Sequence, residues 1–232
     1  MTYRFAVEPS SVDRHLASGS VIRSIPGRPA LPVRLVRELA AAATDTWQRP
    51  GDRPVVWDPC CGLGHLLVCA ALSQDVALAL ASDVDPDAVD LARRNLELLK
   101  PEGLADRARE IGHRDDADAT IRPVYSILRE PAPATRTFVA DATDPTSCAL
   151  GLGDVKPDIV LTDTPYGDQT VWADASREVG HLLASMEVTT APGAVVGLVT
   201  SNRLRLPATT WQRAGTWNIG KRRVWLLHKG EK

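Results

Sequence analysis

The period of apolar positions changes repeatedly along this chain, and each change marks an element. Leu35, Val36, Leu39 and Ala42 recur at the spacing of one helix face, which predicts a helix over 31–44. Short continuous apolar runs at 54–57 and 76–82 read as buried strands, with a helix over 64–72 between them. Asp85-Pro86 reads as a helix cap followed by proline in the first turn. The helix it opens carries Val89, Ala92, Leu96 and Leu99 at helical spacing, and Pro101 is expected to stop it. Further strands are expected over 137–140, 158–162, 194–199 and 223–228, and a helix over 176–186. Strands that alternate with helices at short spacing imply a parallel sheet with helices on both faces. Ligands of such sheets sit beyond the carboxyl ends of the strands. The chain therefore reads as one α/β domain over 1–232. Its first 50 residues form an arm, punctuated by Pro26-Gly27-Arg28-Pro29 and Pro32, followed by a helix. The polar, proline-spotted stretch 102–135 reads as a helical insertion.

The most apolar stretch, 65–82, is interrupted by Ser73-Gln74-Asp75, so it fits a helix and a strand better than a membrane span. Met1 to Phe5 lacks the basic-then-apolar pattern of a signal peptide. Cys60, Cys61, Cys69 and Cys148 form neither a disulfide framework nor a zinc-binding CxxC pair. A cytoplasmic protein without membrane or metal partners is the expectation. The net charge of −2 hides an asymmetry. Residues 1–50 carry a net +3, residues 51–201 a net −12, and residues 202–232 a net +7. Basic ends around an acidic middle are consistent with a local phosphate-binding face, and equally with a solvated surface. Arg203, Arg205, Lys221, Arg222 and Arg223 are the candidate phosphate contacts. Trp211, Trp217 and Trp225 interleave with these charges and can stack on bases, although at least one is expected in the core.

The candidate chemistry follows the strands. After the first comes Asp58-Pro59-Cys60-Cys61-Gly62-Leu63-Gly64. Gly62 and Gly64 allow a tight turn and a close ligand approach, and the following helix offers free N–H groups to an anion. Either the carboxylate of S-adenosylmethionine (SAM) or a dinucleotide phosphate fits such a loop. Cys60 stands where a dinucleotide-binding loop would have its first glycine, which weakens the oxidoreductase reading. After the second strand, Asp83 is placed to accept both ribose hydroxyls of an adenosine, and Asp85 to cap the next helix. After the third, Asp141-Ala142 offers an acceptor for an adenine amino group. After the fourth, Asp163-Thr164-Pro165-Tyr166 brings an acid, a rigid proline and an aromatic ring together. Asp163 can accept a proton from a base nitrogen, and Tyr166 offers a face on which an extruded base can stack. The plainer account is a proline turn with Tyr166 in the core. His65 and His181 are lone histidines, more often surface or packing residues than catalysts.

The loop 58–64 resembles the D-P-x-C-G-x-G loop of class I methyltransferases that act on nucleic-acid bases. Asp163-Thr164-Pro165-Tyr166 resembles their D-P-P-Y motif, with Thr164 in place of the first proline. Together with Pro26-Gly27, Pro32-Val33-Arg34-Leu35, Ala81-Ser82-Asp83-Val84-Asp85-Pro86 and the run 158–167, the chain is most similar to the avilamycin-resistance (AviRa) family of ribosomal RNA methyltransferases. The resemblance covers nearly the whole chain, and departs from the family in a shorter polar insertion and in the C-terminal tail.

The resemblance implies a class I SAM-dependent, Rossmann-like fold: a mostly parallel seven-stranded sheet with an antiparallel last strand. It implies SAM as cofactor, held by Asp58, Cys60, Cys61, Gly62, Gly64, Asp83, Asp85, Asp141, Ala142 and Asp163. Asp163, Pro165 and Tyr166 would be the catalytic group. The implied reaction is methylation of a guanine, at ring N1, in large-subunit (23S) ribosomal RNA, with resistance to an orthosomycin antibiotic as the outcome. The enzyme is expected to be a monomer. The alternatives are methylation of guanine N2 or adenine N6 in another nucleic acid, a catalytically silent RNA-binding protein on the same fold, and, more distantly, a nicotinamide oxidoreductase.

Overall fold

The computed structural model describes residues 10–17, 19–25, 30–49, 51–112, 117–164 and 175–230. Seven strands form one sheet: β1 (Val55–Asp58), β2 (Leu78–Asp83), β3 (Ala134–Val139), β4 (Ile159–Asp163), β5 (Val195–Ser201), β6 (Gln212–Ile219) and β7 (Arg222–His228). Their spatial order is β3-β2-β1-β4-β5-β7-β6. Strands β1 to β5 pair in parallel, while β7 runs antiparallel to both β5 and β6. This is the expected mostly parallel seven-stranded sheet, with the antiparallel final strand inserted between β5 and β6.

Helices cover both faces because the buried strands are apolar on both sides. On one face, α1 (Asp13–Ala17), α2 (Val33–Trp47), α3 (His65–Ser73), α4 (Pro86–Leu96), α5 (Pro101–Ile111) and α6 (Ala117–Tyr125) contribute to a core with Val56, Ala79, Ala81, Ile159, Leu161, Val199 and Val224. On the other, α7 (Pro145–Leu152) and α8 (Ala175–Thr189) pack with Trp57, Leu80, Val160, Val196, Leu198 and Trp225. Successive strand residues thus alternate between two cores, which fixes the face each side chain joins.

Pro101 does not stop the fourth helix. The helix ends at Leu96, passes through a single 3-10 turn at Glu97–Leu99, and Pro101 then opens α5. Proline suits that place because a first-turn residue has no N–H bond to lose. The pattern also gave no sign of α7 or β6. Asp144 caps α7 by accepting from the Thr146 N–H (2.9 Å), with Pro145 next, repeating the Asp85-Pro86 device. Strand β6 is an edge strand, mostly exposed, so it carries no apolar alternation to read.

Buried Asn95 holds the arm to this frame. Its amide donates to the Arg23 and Leu63 carbonyls (3.0 and 2.8 Å) and accepts from the Arg23 N–H (2.9 Å). Outside it, Glu110 accepts from Arg23, Arg107 and Arg94, which together hold its carboxyl down at about 2. One residue in the last turn of α4 therefore ties the arm, α4 and the loop before α3 together. No helix among the described residues is long and apolar enough to cross a membrane.

Candidate active site

The carboxyl ends of β1, β2 and β4 lie side by side, and each ends on an aspartate. Asp58 pairs with Ala81, so Asp83 stands one side-chain row further out on the same face of the neighbouring strand. Trp57 pairs with Val160, which puts Asp58 opposite Leu161 and Asp163 one row out on the other side. Asp58 is thus flanked by two carboxylates. It is 1% exposed, and its Oδ1 accepts from the Cys60 N–H (3.2 Å). Burial pushes its carboxyl up to about 8, and the charges of Asp83 and Asp163 act in the same direction.

The loop between β1 and α3 turns above this cluster. Gly62 and Gly64 both have positive φ (49° and 77°), where a side chain is strained. A Cβ on Gly64 would lie 3.2 Å from Ala92 of α4, whereas one on Gly62 would meet nothing within 4 Å. The loop is therefore packed at Gly64 and open at Gly62. The Gly62 N–H donates to Asp83 Oδ2 (2.8 Å), and the Asp85 N–H to Asp83 Oδ1 (3.1 Å). Asp83 thereby fixes the loop and still presents acceptor capacity outward. Helix α3 starts at Gly64 with no side-chain cap, so its first N–H groups face the loop side without an internal partner. An anion is suited to that place.

Asp163 ends β4. Its Oδ1 is buried and has no hydrogen-bond partner among the described residues. Burial pushes its carboxyl up to about 7, against the opposing pull of the Arg222 charge. Next to it, Thr164 is locked by donating its N–H and hydroxyl to the Val199 carbonyl (3.0 and 3.1 Å). Pro165 and Tyr166 lie outside the described residues.

The other candidates divide. Asp85 accepts from the Asp87 N–H (3.0 Å) and caps α4. Asp141, just past β3, accepts from the N–H and hydroxyl of Thr143 through one oxygen (2.9 and 2.7 Å), and Ala142 is buried beside it. Cys60, Cys61, Cys69 and Cys148 are free thiols, all pushed up from their ordinary range by burial, so none supplies a thiolate nucleophile near neutral pH. His65 is depressed to about 4 by burial and is neutral. Among the described residues no cluster of His, Cys, Asp or Glu could hold a metal ion.

The basic segment divides too. Arg203, Arg205 and Lys221 are exposed beyond the carboxyl edge of the sheet, Lys221 at the tip of the β6–β7 turn. Arg223 is engaged: it donates to Asn218 (2.9 Å) and to the Leu204 carbonyl (3.4 Å), and lies over the Trp225 ring. Trp211 and Trp225 are buried and donate their indole N–H groups to the Leu183 carbonyl and to Thr200 (3.0 Å each). Both belong to the core, so they do not stack on a base. Trp217 is partly buried against the opposite core. Asn95 went unnoticed in the sequence. Its signal was a polar residue next to Leu96 on the apolar face of a helix that also buries Ala92.

A family model described as rRNA methyltransferase AviRa matches residues 1–222. A 23S rRNA (guanine(2535)-N(1))-methyltransferase of Streptomyces viridochromogenes is 36% identical over 247 residues, covering 99% of this chain and 96% of that protein. The structure of rRNA methyltransferase aviRa from Streptomyces viridochromogenes superposes with a TM-score of 0.85 at 34% identity, covering 98% of this chain and 96% of that one. The TrmN structure from Thermus thermophilus, at 20% identity and a TM-score of 0.57 over 94% of this chain and 53% of that one, shares the fold. A match of this length, on a relative that aligns from end to end, leaves one assignment: the chain belongs to the AviRa family of rRNA methyltransferases.

Proposed function

We propose that this enzyme transfers a methyl group from SAM to N1 of a guanine in large-subunit ribosomal RNA, in the cytoplasm, and so confers resistance to an avilamycin-like orthosomycin antibiotic. We read it as a monomeric single domain with an N-terminal arm over 1–50 and an insertion over 102–135. The observation that carries the reading is Asp163: a carboxylate at the end of a central strand, held near 7, with a buried oxygen that no described residue bonds. The guanine-N1 activity of the Streptomyces viridochromogenes relative supports the choice of guanine N1.

The residues present fit SAM. Its amino-acid carboxylate suits the uncapped start of α3, the open space at Gly62 leaves room for it, and its positive charge suits the Asp83 carboxylate beside that loop. SAM supplies a methyl group on a positively charged sulfur, a good leaving group. Asp83 would hold the ribose hydroxyls and Asp141 would face the adenine. Asp163 would accept the guanine N1 proton, because that nitrogen is a poor nucleophile until it loses it. Pro165 and Tyr166 would set and stack the extruded base.

Asp83→Ala is expected to weaken SAM binding about 10- to 100-fold, because it removes two charge-assisted bonds and frees the Gly62 N–H. Calorimetry on the folded variant measures this, and unchanged affinity would remove Asp83 from the site. Arg203, Arg205 and Lys221, all replaced by Ala, are expected to raise the KM for RNA and flatten its salt slope by about 0.7–1 per lost phosphate contact, with SAM affinity intact. An unchanged slope would make this edge a solvated surface.

The decisive experiment incubates labelled SAM with protein-free 23S rRNA, isolated subunits and ribosomes, then digests the RNA and identifies the nucleoside by mass spectrometry. 1-Methylguanosine is the expected product. N2-methylguanosine or N6-methyladenosine would overturn the N1 reading, and absence of transfer to any of the three would favour a silent RNA-binding role.

A further inference from the structure

Arg222 and Arg223 are neighbours in sequence, yet the sheet sends them to opposite faces. Asp163 pairs with Val199, and Val199 with Val224, so these three share a face. Arg222 lies two residues before Val224, opposite Ser201, on that same face and one row further out. Arg223 pairs with Thr200 and stands on the other face, over Trp225. Arg222 is half-buried, unlike exposed Arg203, Arg205 and Lys221. From β4 to β7 the offset is two strands, roughly 10 Å across, and one row, roughly 7 Å along. A long Arg and a short Asp converging over that span leave room for the edge of a flat ring between them.

Guanine presents N1–H and O6 side by side on one edge. When N1 loses its proton, negative charge develops on O6. An ionised carboxylate only accepts hydrogen bonds, and a guanidinium only donates them. The pair therefore matches this edge: Asp163 to N1–H and Arg222 to O6. Adenine has an amino donor at position 6 and no proton on N1, so the same pair opposes it.

The geometry points to Arg222 as a catalytic and specificity-determining residue, one that donates to guanine O6 while Asp163 takes the N1 proton. This rests on the guanine-N1 reading above. The balance is complete without a further reagent. The N1–H bond breaks, its proton passes to Asp163, and its electron pair stays on the ring. That pair forms the bond from N1 to the methyl carbon as the carbon–sulfur bond breaks, and the leaving pair stays on sulfur. The charge on O6 exists only between these events, which is where a fixed donor contributes most. Two titratable groups bear on Asp163: Asp58 on the neighbouring strand, which is itself protonated near neutral pH, and Arg222 from β7. Arg222 is the one that favours its ionised form.

The test uses Arg222→Gln and Arg222→Lys in the full chain. Three readouts apply: SAM affinity by calorimetry, the single-turnover rate of 1-methylguanosine formation at saturating rRNA, and ¹³C NMR titration of the Asp163 carboxyl in the protein without SAM or RNA. Arg222→Gln is expected to lower the saturated rate about 10²-fold. It should also move the Asp163 titration to higher pH and leave SAM affinity unchanged. Arg222→Lys, which keeps a cationic donor, should recover part of the rate and restore the titration. A wild-type saturated rate in Arg222→Gln, with an effect confined to the KM for RNA, would make Arg222 a phosphate contact and overturn the inference. So would a lost rate with the Asp163 titration unmoved. If Arg222→Gln does not fold, Arg222→Lys decides: a slowed saturated rate supports the assignment and a wild-type rate overturns it. Failure of the target reading shows separately, as a different methylated nucleoside from the unaltered enzyme.

Discussion

Asp163→Asn is expected to lower the single-turnover methylation rate by about 10²-fold or more, while SAM affinity stays within about twofold. The substitution keeps size and shape and removes the carboxylate that ends β4. SAM binding is spared because the glycine loop, Asp83 and Asp141 are untouched. The pH profile gives a second measurement. Burial pushes the Asp163 carboxyl up to about 7, so in the unaltered enzyme the base form grows as pH rises through that value. The rate should rise with pH through about 7 and then level, whereas the residual rate of the Asn variant should lose that step. Full activity in Asp163→Asn would leave the family assignment standing and remove this account of the chemistry.

The ligand-free protein is expected to lose stability as pH rises from about 5 to 8, the reverse of a protein whose acids are all paired. Asp58 is the main cause. Its folded carboxyl lies near 8, against about 4 for an unfolded chain. Between those values the folded state holds a proton that the unfolded state has released. Stability is therefore greatest below the unfolded value and is lost as pH rises through the folded one. Asp163, near 7, adds to the same trend. Glu110 acts oppositely: held at about 2, it supports the fold above the usual carboxylate range and loses that effect only in strong acid. A tenfold difference in proton affinity between the folded and unfolded chain corresponds to about 1.4 kcal/mol, and about 1 kcal/mol moves Tm by about 2–4 °C at this chain length. A fall in Tm on the order of 10 °C or more between pH 5 and 8 is the expected calorimetric result. Asp58→Asn should flatten most of it and raise Tm at pH 8. A Tm that climbs toward pH 8 would show that Asp58 is ionised in the fold and would refute the buried neutral carboxyl.

The sequence by itself determined the local elements of this enzyme and most of its candidate chemistry. Strand β1, helix α3 and strand β2 follow from apolar runs. The loop at Gly62 and Gly64 follows from two residues that tolerate positive φ. The cap at Asp85 follows from a short acid placed before proline. Each of these depends on neighbours a few residues away, so periodicity and spacing suffice to find them. Tertiary structure decided what those elements meet. It put Trp211 and Trp225 inside although they lie among arginines, because a buried indole is stable once its N–H finds an acceptor. It made Asn95 the tie between arm, helix and loop. It admitted β6, whose exposed residues pair only because β7 offers an edge. Strand order and register, set across the whole sheet, brought Asp58, Asp83 and Asp163 to one face and parted Arg222 from Arg223. Alternation along a strand is local, but which face borders the crevice depends on how strands far apart in the chain pair, and no short-range pattern encodes that.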